Sequence, residues 1–223
     1  MRMGALVLAL ALVVMASAVM ANPVGAQVTV GTDQSDYTTS AQSTDINAGQ
    51  IFQVDLTVQS PSNWWAGFMG TITEKEVLGN ISASRIMYEW TLAKPNSGWV
   101  YVTTSDTFDW SNTQNVGTNE VNTAVWKASS IPNEVNVETT FSGTCSDAGT
   151  GPIPAGAKSV TTNDDTGTGY WETCIFGDTS GNIAFAAKVD VDGHAAFNGT
   201  TVHYQALVAA KPGSSTTYYF FKG

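Results

Sequence analysis

The sequence predicts a mostly β domain, a β-sandwich or Greek-key-like fold with one short helix, following an N-terminal signal peptide. Three observations predict it. Apolar and polar residues alternate with period two in a succession of short segments, so that one face of each can be buried. Glycine, asparagine, aspartate, serine and proline recur between those segments and supply turns. Residues 119–129, NEVNTAVWKAS, are the one stretch whose apolar residues recur at helical spacing.

Near the N-terminus Arg2 precedes an unbroken apolar run from Gly4 to Met15, followed by the small residues Ala16, Ser17, Ala18 and Ala21. A positive charge, an apolar core and small residues at the cut make a secretory signal peptide over residues 1–21. Cleavage after Ala21 and cleavage after Ala26 both satisfy the small-residue rule. An uncleaved leader is the competing reading, since residues 4–21 reach the lower limit of about 17 residues for a membrane span. It would be the chain's one contact with a membrane. Residues 22–50 are rich in Thr, Ser, Asp, Gln and Gly and read as an extended polar arm. Within it, 27–32 (QVTVGT) alternates and can pair with a sheet edge. Residues 51–223 read as a single β-rich domain.

In residues 52–58, Phe52, Val54, Leu56 and Val58 alternate with polar neighbours. Residues 64–73, WWAGFMGTIT, mix aromatics with glycines, which predicts a strand whose glycines let large rings pack across them. Residues 85–92 place Ile86, Tyr88, Trp90 and Leu92 on one face, and 99–103 (WVYVT) follow after the turn formers Lys94 to Gly98. These two segments are expected to form a hairpin. In the helical stretch, Asn119 is the expected cap, Glu120 lies in the first turn, and Pro132 follows the end. Further strands are expected at 135–141, 170–176, 183–189, 202–208 and 216–221.

The only cysteines, Cys145 and Cys174, lie in the exported part. Outside the cytosol such a pair oxidises, and closing the loop would stabilise the fold by roughly 3 to 4 kcal/mol. Net charge is −10, and removing the leader takes away Arg2 alone among the charged residues. This acidity argues against nucleic acid and against an anionic membrane surface as partners.

Several motifs together carry a resemblance. They are W-x-G-F-x-G from Trp65 to Gly70, L-G-N-I from Leu78, M-Y-E-W from Met87, V-Y-V-T from Val100, D-W at Asp109 and Trp110, and T-T-Y-Y-F-F from Thr216. In these the chain resembles a family of secreted, β-rich surface proteins of archaea and some bacteria that has no assigned activity. The resemblance implies an extracellular or cell-surface location and supplies no catalytic residue.

Candidate chemistry is sparse, and no enzyme is expected. The two histidines, His194 and His203, belong to no hydrolase motif; they read as a turn residue and a strand residue. Among the acids, Glu89 and Glu172 sit inside aromatic strands, where an outward-facing solvated carboxylate is the ordinary case. Asp190-Val-Asp192-Gly opens like a calcium loop but lacks its closing glutamate, and a β-turn explains it equally well. No other cofactor is implied. Seven tryptophans and seven tyrosines suggest stacking on sugar rings, with Trp64, Trp110 and Trp171 as candidate carbohydrate contacts; Trp90, Trp99 and Trp126 read as buried or half-buried. Asn80 and Asn198 head glycosylation sequons. The functional expectation is an extracellular or cell-surface structural protein, a filament, sheath or adhesive subunit that self-associates by strand pairing. The alternative is a secreted carbohydrate- or ligand-binding module.

Overall fold

A computed structural model describes residues 22–28, 62–80, 85–128 and 131–223; the leader, most of the polar arm and the strand expected at 52–58 lie outside them. In chain order the strands are β1 (Val24–Gly25), β2 (Trp65–Gly70), β3 (Lys75–Asn80), β4 (Arg85–Thr91), β5 (Trp99–Thr103), β6 (Thr113–Gln114), β7 (Gly143–Thr144), β8 (Lys158–Asn163), β9 (Gly169–Asp178), β10 (Ile183–Lys188), β11 (His194–Ala195), β12 (Thr201–Val202), β13 (Tyr204–Ala209) and β14 (Tyr219–Lys222). Every pairing among them is antiparallel. The fold is mostly β, as the alternation predicts.

The main sheet runs β1-β14-β5-β10-β9-β8-β7, with β6 added beside the end of β9. Its central strands are buried on both faces because their alternation is apolar against apolar. Val100 and Val102 of β5, Ile175 of β9 and Phe185 of β10 enter one core. Trp99, Tyr101, Cys174, Phe176, Ala184 and Ala186 enter another on the opposite face.

The first core is covered by the β2–β13 pair and by two short helical segments, which makes a sandwich. Thr173 of β9, fully buried, uses its hydroxyl to accept the Leu207 N–H of β13 at 3.1 Å. The strand glycines behave as expected at Gly70: a Cβ there would lie 3.3–3.5 Å from the Tyr204 ring packed across it. The second core is closed by loop residues Phe108, Trp110, Ile153 and Ala157.

Helix α1 (Thr118–Val121) continues into a π-helical turn, Asn122–Trp126. Its cap is Gly117 rather than Asn119: the Gly117 N–H is held by the Glu120 carboxylate at 2.9 Å. Lys127 ends it in the left-handed region, with the next N–H, that of Ala128, taken by the Asn122 side chain. The apolar face delivers Trp126 to the core, where its indole N–H donates to the Trp64 carbonyl at 2.9 Å.

Three expectations are corrected. Residues 135–141 are not a strand: a 3-10 turn (Asn133–Val135) leads into α2 (Val137–Thr140), because the Asn136 side chain caps the Thr139 N–H. The 85–92 and 99–103 segments do not pair. β4 turns back on β3, and β5 is inserted between β14 and β10. The strand expected from residue 202 is interrupted, with β12 pairing β11 and β13 pairing β2.

The Cys145–Cys174 disulfide forms, with Cα atoms 5.5 Å apart. It joins the residue that follows β7 to β9 beside the start of β8, where the Cys145 N–H donates to the Ala157 carbonyl at 2.9 Å. At the sheet's far side, β1 pairs Val24 with Lys222 and Gly25 with Phe221, and the Ala26 N–H donates to the Phe220 carbonyl at 2.8 Å. No helix among the described residues is long and apolar enough to cross a membrane.

Candidate functional site: an exposed apolar ribbon

The β3–β4 ribbon stands apart from both cores. Among the described residues, β3 and β4 pair only with each other, and the side chains of β4 are exposed along its whole length. The register places Leu78 opposite Tyr88, Glu76 opposite Trp90 and Gly79 opposite Ile86. Partners in register share a face. Leu78, Ile86, Tyr88 and Trp90 therefore form one apolar face, edged by Glu76. Exposure is 61% at Tyr88, 55% at Leu78, 49% at Ile86 and 43% at Trp90, and the Tyr88 and Trp90 rings stack with centroids 5.8 Å apart. The opposite face is mixed: Met87 lies 83% exposed beside the Lys75–Glu89 ion pair, 2.6 Å long.

A bulge between Leu78 and Gly79 sets the ribbon's local bend. Gly79 has φ +154°, and a Cβ there would come 2.3 Å from the Arg85 carbonyl oxygen, so no other residue fits. Period-two alternation makes the ribbon's apolar face legible in sequence. It does not say what, if anything, covers that face; Trp90, expected buried or half-buried, is not in the core and keeps 43% of its surface open.

The three tryptophans chosen as sugar contacts are not gathered. Trp64 packs edge-on against Trp126 at the first core, and Trp110 lies among Tyr101, Phe108 and Phe221 at the second. Trp171 is buried (2% exposed), with its indole N–H donating to the Ala195 carbonyl, so it presents no open ring face. Trp99 and Trp126 are buried as expected.

The Asp190–Gly193 loop is built as a turn. Asp190 Oδ1 accepts the N–H groups of Asp192 and Gly193, its Oδ2 accepts the Tyr170 hydroxyl, and Gly193 takes φ +77°. Burial alone would raise the Asp190 carboxyl; hydrogen bonds from Tyr170 and the two amides outweigh it and hold it below the ordinary range. The same bond to Asp190, aided by burial, pushes the Tyr170 phenol up to about 12. Asp192 pairs instead with Lys94, so the two carboxylates proposed for calcium serve different partners. Among the described residues, one group of three potential metal ligands converges, Cys145, Glu172 and Cys174, and both its sulfurs are committed to the disulfide.

The remaining candidates have structural partners. Glu172 accepts the Ser146 N–H at 2.8 Å together with its hydroxyl, and Glu89 pairs with Lys75. His203 Nδ1 accepts the Ile72 N–H at 2.8 Å. The His194 ring stacks on Tyr170 and lies 3.2 Å from Asp164. Hydrogen bonds, first from the Thr166 hydroxyl and then from His194 and the Thr168 and Thr166 amides, lower the Asp164 carboxyl to about 2 against a smaller opposing effect of burial. Asn198 lies in an exposed turn closed by the Ala196–Gly199 and Ala196–Thr200 hydrogen bonds, and Asn80 ends β3.

Asp178 belongs to no motif legible in the sequence. It is 1% exposed, and its carboxylate takes the N–H groups of Asp109, Ser180 and Asn182 and the Asn182 amide. Its role is to tie the β9–β10 turn to the loop before β6. Comparison with protein-family models, with curated proteins and with solved structures found no match.

Proposed function

We propose that this chain is an exported structural protein of the cell surface or extracellular matrix, a filament, sheath or adhesive subunit that associates with itself through β elements. The observation that carries the reading is the β3–β4 ribbon, which holds four large apolar side chains in solvent on one face. An isolated two-stranded ribbon is marginally stable on its own and gains stability from a partner that covers its apolar face. The disulfide and the leader-like N-terminus support an oxidising, extracytoplasmic location. Sedimentation of the chain beginning at Asn22, over a wide concentration range, tests the proposal. Mass should rise with concentration; a strict monomer throughout would refute self-association.

The stacked, exposed Tyr88 and Trp90 rings favour a second reading, a carbohydrate-binding module with these rings as its platform. A glycan array decides it: binding that disappears in Trp90→Ala supports it, and silence on every glycan removes it.

A further inference from the structure

We infer that the occupant of the ribbon's apolar face is the same face of a second copy, docked about a two-fold axis with Leu78, Ile86, Tyr88 and Trp90 interleaved. This deepens the self-association reading and rests on it. Charge selects the occupant. The whole chain carries −10, so two copies repel over most of their surfaces. The ribbon is an exception: Lys75 and Arg85 balance Glu76 and Glu89, and Lys75 and Glu89 already neutralise each other. A strongly basic partner would seek acidic surface elsewhere, whereas a second acidic copy can approach most easily here. The face is also self-complementary in kind, since an aromatic pair on β4 lies beside the aliphatic Ile86 and Leu78. In a two-fold contact, patch meets patch and no third surface is required.

Size sets the strength. Seven residues of β4 at about 3.4 Å each make a ribbon roughly 24 Å long, and two strands with their side chains are about 10 Å wide. The contact would cover on the order of 250 Å² per copy, well under the roughly 800 Å² per partner of stable complexes. The dimer is therefore weak and reversible in dilute solution, and becomes firm where copies are held close together.

Two variants and a control test it in the chain beginning at Asn22. Tyr88→Glu places a charge at the centre of the contact and should weaken association at least about tenfold. Tyr88→Cys sits beside the axis, so its oxidative dimer should form at least about ten times faster than that of Ser214→Cys, an exposed control. Near-ultraviolet circular dichroism and an unchanged melting midpoint establish that Tyr88→Glu is folded. If wild type associates but Tyr88→Glu does so equally and the two cysteine variants cross-link alike, the ribbon contact is wrong while self-association through another surface stands. If wild type is a monomer at every concentration, both fall. A several-degree loss of melting temperature in monomeric Tyr88→Glu would then show that the chain's own residues cover the face.

Discussion

Removing the Cys145–Cys174 bridge should lower stability by about 3.6 kcal/mol at 25 °C. The figure follows from the 29-residue separation of the two cysteines and the loop-closure entropy that the cross-link removes from the unfolded chain. The folded state has little to lose beyond the bridge. Cys145 and Cys174 are buried, and Cys145 donates its N–H to the Ala157 carbonyl while Cys174 sits in the β8–β9–β10 ladder. Those contacts survive in Cys145→Ala/Cys174→Ala. For a domain of this size about 2–4 °C accompanies each kcal/mol, so the melting midpoint should fall by roughly 7–14 °C. Equilibrium urea unfolding adds a second readout: an unfolded chain freed of the loop exposes more surface, so the slope of stability against urea should rise. Chemical reduction removes no atoms and separates the cross-link from the packing lost in the double variant. A stability change below about 1 kcal/mol, with an unchanged urea slope, would refute the assignment of the bridge's effect to the unfolded chain.

Asp178→Ala should cost about 3–5 kcal/mol, because three N–H groups and the Asn182 amide lose a buried anionic acceptor; chemical denaturation reads this directly, and a loss under about 1 kcal/mol would remove its role as a hub. Burial opposes ionisation of Asp178, but its hydrogen bonds prevail and lower its carboxyl below the ordinary range. Its contribution is therefore present above the unfolded carboxyl value near 4 and is lost as pH falls through the lower folded value, so the wild-type advantage over Asp178→Ala should shrink only below about pH 4. A chain beginning at Gln27 should be less stable than one beginning at Asn22 by about 1–2 kcal/mol, since it loses buried Pro23 and the hydrogen bonds of β1 to β14. Equal melting midpoints would show that β1 contributes nothing, and intact mass of the protein recovered from cells and from medium would report whether either expected cut is made.

What the sequence made legible was local. β9 and β10 announce themselves through runs of apolar and β-branched residues, and the helical stretch within 119–129 through Val121, Ala124, Val125 and Ala128, all of which pack at the first core. The segment 135–141 misled because its apolar residues fit two periods. Val135 and Val137 are two apart, Val137 and Phe141 four apart, and the Asn136 cap decides for the helix. The hairpin expected between 85–92 and 99–103 failed for a different reason. Lys94 to Gly98 carries turn chemistry, yet long-range partners claim β5 on both edges. Trp171 looked like a strand-end residue open to a ligand. It is buried because Ala196 and Val202, some 25 and 31 positions later, close over it, and nothing near residue 171 signals that. The ribbon inverts the problem: its alternation correctly indicates an apolar face, but a pattern read from one segment cannot identify the surface that meets it.

The arrangement of the main sheet bears on where copies can join. An open sheet invites association along its edges, and proteins suppress this by keeping edge strands short. Among the described residues, both outer strands are two residues long, β1 on one side and β7 on the other. β1 closes off β14, which is itself only four residues long, and at β7 the ideal Cβ position of Gly143 is crowded to 2.9 Å by the Ser159 hydroxyl. The faces offer no alternative in the centre of the sheet, since β5, β9 and β10 are buried on both sides. With these edges short and the central faces filled, β3 and β4 present four large exposed apolar side chains on one face, on an element that pairs with nothing else among the described residues. Association through the ribbon leaves the sheet ladder intact, so copies can come together and separate without unfolding, which is what a reversible surface assembly requires and what open-edge stacking would not provide.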